Sequence, residues 1–179
     1  MVFTNFDQLI EKVKGYPAKK RMAVAAAGDT HTLEAVMHAR KEGSVEPILV
    51  GDKAEILRIL AELNETVADE NIYDYADVKD AAEFAVKLVK EGKADFLMKG
   101  KLDTAVILKA VVNKEKGLGQ GRTMSHFTMF EVPTYHKILC PVDGGMVTYP
   151  TLEQKKDIIN NTVETLISMG YDCSKVGVL

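Results

Sequence analysis

Met22-Ala-Val-Ala-Ala-Ala27 is an unbroken apolar run, long enough for one strand and too short for an ordinary helix. Such runs belong to strands covered on both faces, as in parallel sheets. Gly28-Asp29-Thr30 turns the chain, and Leu33, Val36 and Met37 then recur at helical spacing until Gly43. The same unit repeats downstream. Pro47-Ile-Leu-Val50 reads as a strand, Gly51-Asp52 as turn and cap, and Ile56, Leu57, Ile59, Leu60 and Leu63 as a helical stripe. Asn71–Tyr75 is a weaker strand, and Asp77 caps a helix that carries Ala81, Phe84, Ala85 and Leu88 inward and closes at Gly92. Ala94–Met98 is a further strand. Lys99-Gly100 ends it, and Asp103 or Thr104 caps a helix with Ile107, Ala110 and Val111 inward. Upstream, Phe6, Leu9, Ile10 and Val13 make a short amphipathic helix stopped by Gly15 and Pro17. Alternation of this kind predicts right-handed crossovers and a mostly parallel sheet between two helical layers.

The pattern changes after Gly117-Leu-Gly-Gln-Gly121, which reads as a linker. Two extended runs, Thr123–Val132 and Tyr135–Val142, flank Pro133-Thr134, and a hairpin is the simplest arrangement. Thr151 and Gln154 form a capping box ahead of a long helix with Ile158, Ile159, Val163, Leu166 and Ile167 on its buried stripe, ended by Gly170. Lys175–Leu179 looks like another strand, either a terminal edge strand or the opening of a second domain cut short. The organisation expected is an α/β domain over 1–122 and the start of a second one over 123–179.

The 179 residues are 46% hydrophobic and 27% charged, a composition that buries a core. With 23 Lys and Arg against 26 Asp and Glu, the net charge is −3, which argues against a nucleic-acid partner. No run approaches the ~18 apolar residues of a membrane helix, and Asp7 and Glu11 interrupt any signal-peptide pattern. Cys140 and Cys173 form no framework or ligand cluster and read as packed thiols of a reducing, cytoplasmic protein. His31, His38 and His136 read as structural, and no metal site is indicated.

In open α/β sheets, ligands bind beyond the carboxyl ends of the strands. That rule selects Gly28–His31, Gly51–Lys53, Lys99–Thr104 and Asp143–Gly145. In the third segment Gly100 allows close backbone approach, a helix start offers free N–H groups, and Lys99, Lys101 and Lys109 add positive charge. An anion such as phosphate suits this pattern; so does a plain turn with solvated lysines. Neither a P-loop nor a dinucleotide fingerprint is present. Ser125 and His126 are adjacent, so in a strand they face opposite sides and cannot act as a hydrogen-bonded pair. Asp95, Asp103 and Asp143 are candidates for acid–base work, with a cap the alternative for Asp103.

The run Ala94-Asp-Phe-Leu-Met-Lys-Gly-Lys-Leu-Asp-Thr-Ala-Val-Ile-Leu-Lys-Ala-Val-Val-Asn-Lys-Glu resembles the signature region of the phosphate acetyl/butyryl transferase family. Ser125-His126, Phe130-Glu-Val-Pro133, Asp143-Gly-Gly-Met146 and Thr151-Leu-x-Gln-Lys155 continue the likeness in order and spacing, as does the Ala25–Ala27 strand. The butyryl and branched-chain branch is the nearer one, since Lys109 stands where the acetyl branch has arginine.

The resemblance implies a three-layer α/β/α fold like that of the isocitrate/isopropylmalate dehydrogenases, with the second domain incomplete. It implies transfer of a short acyl group between coenzyme A and inorganic phosphate, with both as substrates and no cofactor, in a cytoplasmic homodimer. Lys99, Gly100, Thr104, Lys109, Ser125, His126, Asp143 and Gly144 are the substrate and phosphate candidates. The family's catalytic base falls beyond Leu179, so the isolated chain is expected to be inactive, as an N-terminal portion lacking on the order of a hundred residues. The alternatives are a non-catalytic binding module or another acyl-phosphate-handling enzyme of the same fold.

Overall fold

Parallel pairing on both sides of the first apolar strand organises the sheet. The computed structural model describes residues 3–178. β1 (Lys20–Ala25) pairs in parallel with β2 (Val45–Gly51) and with β4 (Phe96–Lys99), and β2 pairs in parallel with β3 (Ile72–Asp74). The order is β3-β2-β1-β4. The chain therefore steps outward from β1 to β3 and returns to β1's other edge, which makes the β1–β4 junction the switch point of the sheet.

Alternation along the strands assigns the two faces. Met22, Val24 and Leu49 pack with Leu33, Val36 and Met37 of α2 (Thr30–Lys41) and with Ile56, Ile59 and Leu60 of α3 (Lys53–Glu62). Ala23, Ala25, Ile48 and Val50 pack on the other face against α4 (Val78–Lys90) and α5 (Thr104–Val111). Alanines 81, 82 and 85 of α4 are all buried there, so small side chains on both surfaces let helix and sheet approach closely.

Local chemistry explains where the helices begin. Asp29 accepts from Thr32 N, Asp52 from Glu55 N, and Asp77 from both Lys79 N and Asp80 N. Asp103 occupies the cap position of α5 but makes no side-chain cap bond. Gly117 belongs to the packed structure rather than to a loose linker: its N–H donates to Asn113 O, and Leu118 N donates to Val111 O.

The chain divides into two compact units, Val13–Gly119 and Met1–Lys12 with Gln120–Leu179. The first twelve residues thus group with the later part of the chain, not with the sheet they precede. They hold to it by named contacts: Tyr171 Oη donates to Phe3 O at 3.1 Å, Lys12 Nζ to Met169 O at 3.1 Å, and Phe6 N to Glu131 Oε2 at 2.7 Å. α1 (Phe6–Lys14) buries none of its residues among those described, and Ile10 is 46% exposed.

The second unit departs from several expectations. α6 (Leu152–Met169) forms with its capping box and a left-handed Gly170, but its buried side chains are Ile158, Thr162 and Leu166, while Ile167 is 59% exposed. The hairpin does not form. Phe130 and Leu139 make one antiparallel bridge, and nothing else in 123–142 is strand. The backbone groups that a ladder would use are taken by side chains instead. Thr123 N donates to Asp157, Thr123 O accepts from Asn161, and His126 N donates to Asp143. Residues 175–178 likewise form no strand, and Leu179 lies outside the described residues. No described helix is long and apolar enough to cross a membrane.

Candidate functional site

The carboxyl ends of β1 and β4 meet at Gly100. Gly100 N donates to Ala25 O at 2.8 Å and Lys101 N to Ala26 O at 3.0 Å. A Cβ at position 100 would lie 2.7 Å from Ala25 O and 2.9 Å from Ala26 C, and closer still to Ala26 O. Only glycine fits. Ala26 itself adopts φ +56°, a left-handed conformation that disfavours a side chain, so strain collects at this junction.

The lysines beside it are engaged. Lys99 Nζ donates to Leu102 O at 2.7 Å, tying down the loop that follows β4. Lys101 pairs with Asp29 at 3.6 Å. The Thr32 N–H and hydroxyl, assisted by Lys101, hold the Asp29 carboxyl below its ordinary range. Thr104 is exposed at the start of α5. Lys109 lies in its last turn, about 7–8 Å along the axis and well around the helix from Thr104. The Lys109 ammonium makes no hydrogen bond or ion pair among the described residues.

A separate group forms in the other unit. Asp143 accepts four backbone N–H groups: His126 (3.2 Å), Gly145 (3.0 Å) and Met146 (3.1 Å) on one oxygen, and Val147 (3.0 Å) on the other. Burial pushes this carboxyl up, but the four donors outweigh it and hold it below the usual range. Asp143 is therefore a fixed anion that shapes the Gly144–Val147 loop. Gly144 lies against the His126 ring, its would-be Cβ 3.5 Å from Nδ1. Ser125 Oγ instead meets Asn161 Nδ2 of α6 at 3.1 Å. The two side chains go separate ways, although no strand separates them.

The candidate residues thus fall in two units, Lys99, Gly100 and Thr104 at the loop of one with Lys109 apart from them on α5, and Ser125, His126, Asp143 and Gly144 in the other. Asn161 and Asp157, which grip the second group, gave no motif. Their only trace was a polar pair at i, i+4 inside an amphipathic helix.

Some candidates are corrected. Asp95 sits at the amino end of the sheet, where it accepts from Arg21 N at 2.7 Å and Lys20 Nζ at 3.1 Å, away from the ligand end. His31, His38 and His136 are exposed, not packed. Cys140 is half-buried, and burial pushes its thiol up, whereas Cys173 is exposed.

A parallel sheet with its switch point at a glycine-tight loop, followed by a helix start, defines a doubly wound α/β protein. Comparison with known proteins narrows this. The profile of the phosphate acetyl/butaryl transferase family matches residues 75–179. A phosphate butyryltransferase from Clostridium acetobutylicum is 44% identical over 96% of this chain, and a phosphate acetyltransferase from Thermotoga maritima is 39% identical over 97%. The chain spans 57% and 58% of their lengths. A phosphotransacetylase from Streptococcus pyogenes superposes with a TM-score of 0.71 over 93% of this chain and 59% of that one, at 24% identity. A branched-chain phosphotransacylase from Enterococcus faecalis gives 0.65 over 85% and 52%, at 23% identity. These two likenesses bear on the fold alone. The chain belongs to the phosphate acetyl/butaryl transferase family.

Proposed function

We propose that the complete protein moves a short acyl group, butyryl or branched-chain, between coenzyme A and inorganic phosphate. The observation that carries this is the 44% identity, along 96% of the chain, to a protein named phosphate butyryltransferase. In one direction a phosphate oxygen attacks the thioester carbonyl, acyl phosphate forms, and coenzyme A leaves. In reverse the thiolate attacks the acyl phosphate, so a base must take the thiol proton.

Two carboxylates at the grouped sites are poor bases near neutral pH. Asp29 and Asp143 are both stabilised as anions by N–H donors. We place the base outside these 179 residues, as the family resemblance implies, and take the isolated chain to be inactive. The residues here would bind anions: the first N–H groups of α5 and the Lys109 ammonium in one unit, Ser125 and His126 in the other. Homodimeric assembly, a cytoplasmic location and the absence of a cofactor belong to the same proposal.

The test is coenzyme A release from butyryl-CoA on addition of phosphate, followed with a thiol reagent. Phosphate-dependent release is expected from the full-length protein and not from residues 1–179 alone. No phosphate-dependent release from the full-length protein would refute the reading.

A further inference from the structure

The geometry points to Asn161 as a positioning residue that turns the Ser125 hydroxyl into a hydrogen-bond donor for a phosphoryl oxygen. This rests on the functional reading above.

The direction of each hydrogen bond follows from what the atoms can do. The Asn161 amide makes two contacts on its nitrogen side, to Thr123 O at 2.9 Å and to Ser125 Oγ at 3.1 Å. A backbone carbonyl can only accept, so the nitrogen must face Thr123. Its second N–H then reaches Ser125, and the serine oxygen accepts. Swapping the amide ends would set two oxygens against each other. Ser125 keeps its own O–H, which among the described residues has no acceptor. An accepting oxygen with a free proton is a donor poised for an acceptor, and the N–H behind it strengthens that donation.

The segment is held firmly enough for the direction to matter. Asp157, one turn before Asn161 on α6, accepts Thr123 N at 2.9 Å, so residue Thr123 is gripped through both its N–H and its C=O. Asp143 holds the next residue but two through His126 N. Thr165 Oγ1 donates to the backbone carbonyl of Asn161 at 2.7 Å. Ser125 and Asn161 share the wall of an open groove of about 470 Å³ with Arg122, whose guanidinium is paired with Glu164. A neutral donor on that wall recognises an oxygen anion without a second buried charge.

The experiment uses the full-length protein and inorganic phosphate, with turnover on butyryl-CoA and calorimetric phosphate binding measured in parallel. Asn161→Asp replaces the donor with a carboxylate of the same shape. The Ser125 O–H then points back to the carboxylate, and the groove loses its donor. Phosphate KM and Kd should rise about tenfold or more, with kcat little changed. Ser125→Ala should give a similar rise, and its double variant with Asn161→Ser, which adds no charge to the groove, no more than either alone. A residue that only supports the fold would lower the melting midpoint and leave phosphate KM in place, and that result overturns the proposal, as do fully additive effects. Should Asn161→Asp fold poorly, Asn161→Ser, too short to reach Ser125, carries the same expectation. Turnover in the parent with unchanged phosphate constants in these variants sinks the role of Asn161 and leaves the functional reading intact. Asn161-dependent phosphate binding without turnover does the reverse, and a parent that neither binds phosphate nor turns over overturns both.

Discussion

Gly100→Ala should cost the sheet unit about 3 kcal/mol, although the substitution adds one methyl group. The methyl carbon would be placed 2.7 Å from Ala25 O and 2.9 Å from Ala26 C, where ordinary contact needs about 3.5 Å or more. Every atom it meets there is backbone, so no side chain can swing away. Overpacking of this kind costs about 1–3 kcal/mol. Relief requires β4's end to move off β1, which weakens Gly100 N–Ala25 O and Lys101 N–Ala26 O at about 1 kcal/mol each. For a unit with about 5–15 kcal/mol of total stability that is a large fraction. Urea unfolding, followed by hydrogen exchange at Val24, Ala25, Leu97 and Met98, should show a midpoint lowered by about 1–2 M. Gly119→Ala is the control: nothing lies within 4 Å of its would-be Cβ and its φ is ordinary. A loss in Gly100→Ala below about 0.5 kcal/mol, the level of a surface change, would refute the reasoning.

Asp77→Ala removes a carboxylate that caps two N–H groups and should destabilise the sheet unit by about 1 kcal/mol in the same unfolding assay. Asp143→Ala leaves four N–H groups without their acceptor and should lower stability of the other unit by about 2 kcal/mol at pH 7. Because the folded carboxyl is held below its ordinary value, that contribution is full above about pH 4 and disappears as pH falls through the lowered one. The stabilities of Asp143→Ala and the parent should therefore converge in acid, and a gap that widens there would contradict the assignment.

The sheet was readable because its signals are local. The apolar runs of β1 and β2 need no distant partner to be recognised, and Asp29, Asp52, Asp77 and the Thr151–Gln154 box mark helix starts within three residues. The hairpin failed for the opposite reason. Thr123–Val132 has the alternation of a strand, yet its backbone bonds go to Asp143, Asp157 and Asn161, 17 to 38 residues away. Such side-chain partners have no periodicity, so nothing in the run itself announces them. Lys99 shows a related limit at short range. Its position beside Gly100 was clear, but its bond to Leu102 O three residues on, which makes it a loop brace, depends on the turn the loop takes and has no sequence pattern of its own.

Asp103 stands apart from the other carboxylates near the strand ends. Asp29 is held by Thr32 and Lys101, and Asp143 by four backbone donors, so neither is available to accept a thiol proton. Asp103 heads α5 directly after the Lys99–Leu102 loop and is exposed, with no side-chain cap bond. Substituting it removes no structural hydrogen bond, so Asp103→Ala should change stability by less than about 0.5 kcal/mol. If the base lies outside this chain, the same variant of the full-length protein should keep kcat within about threefold of the parent, a difference of less than about 1 kcal/mol in barrier. A loss on the order of a hundredfold or more in kcat with an unchanged unfolding midpoint, the range expected for a general base, would place the base at Asp103 instead. Stability and rate are read on one variant, so misfolding cannot pass for lost chemistry.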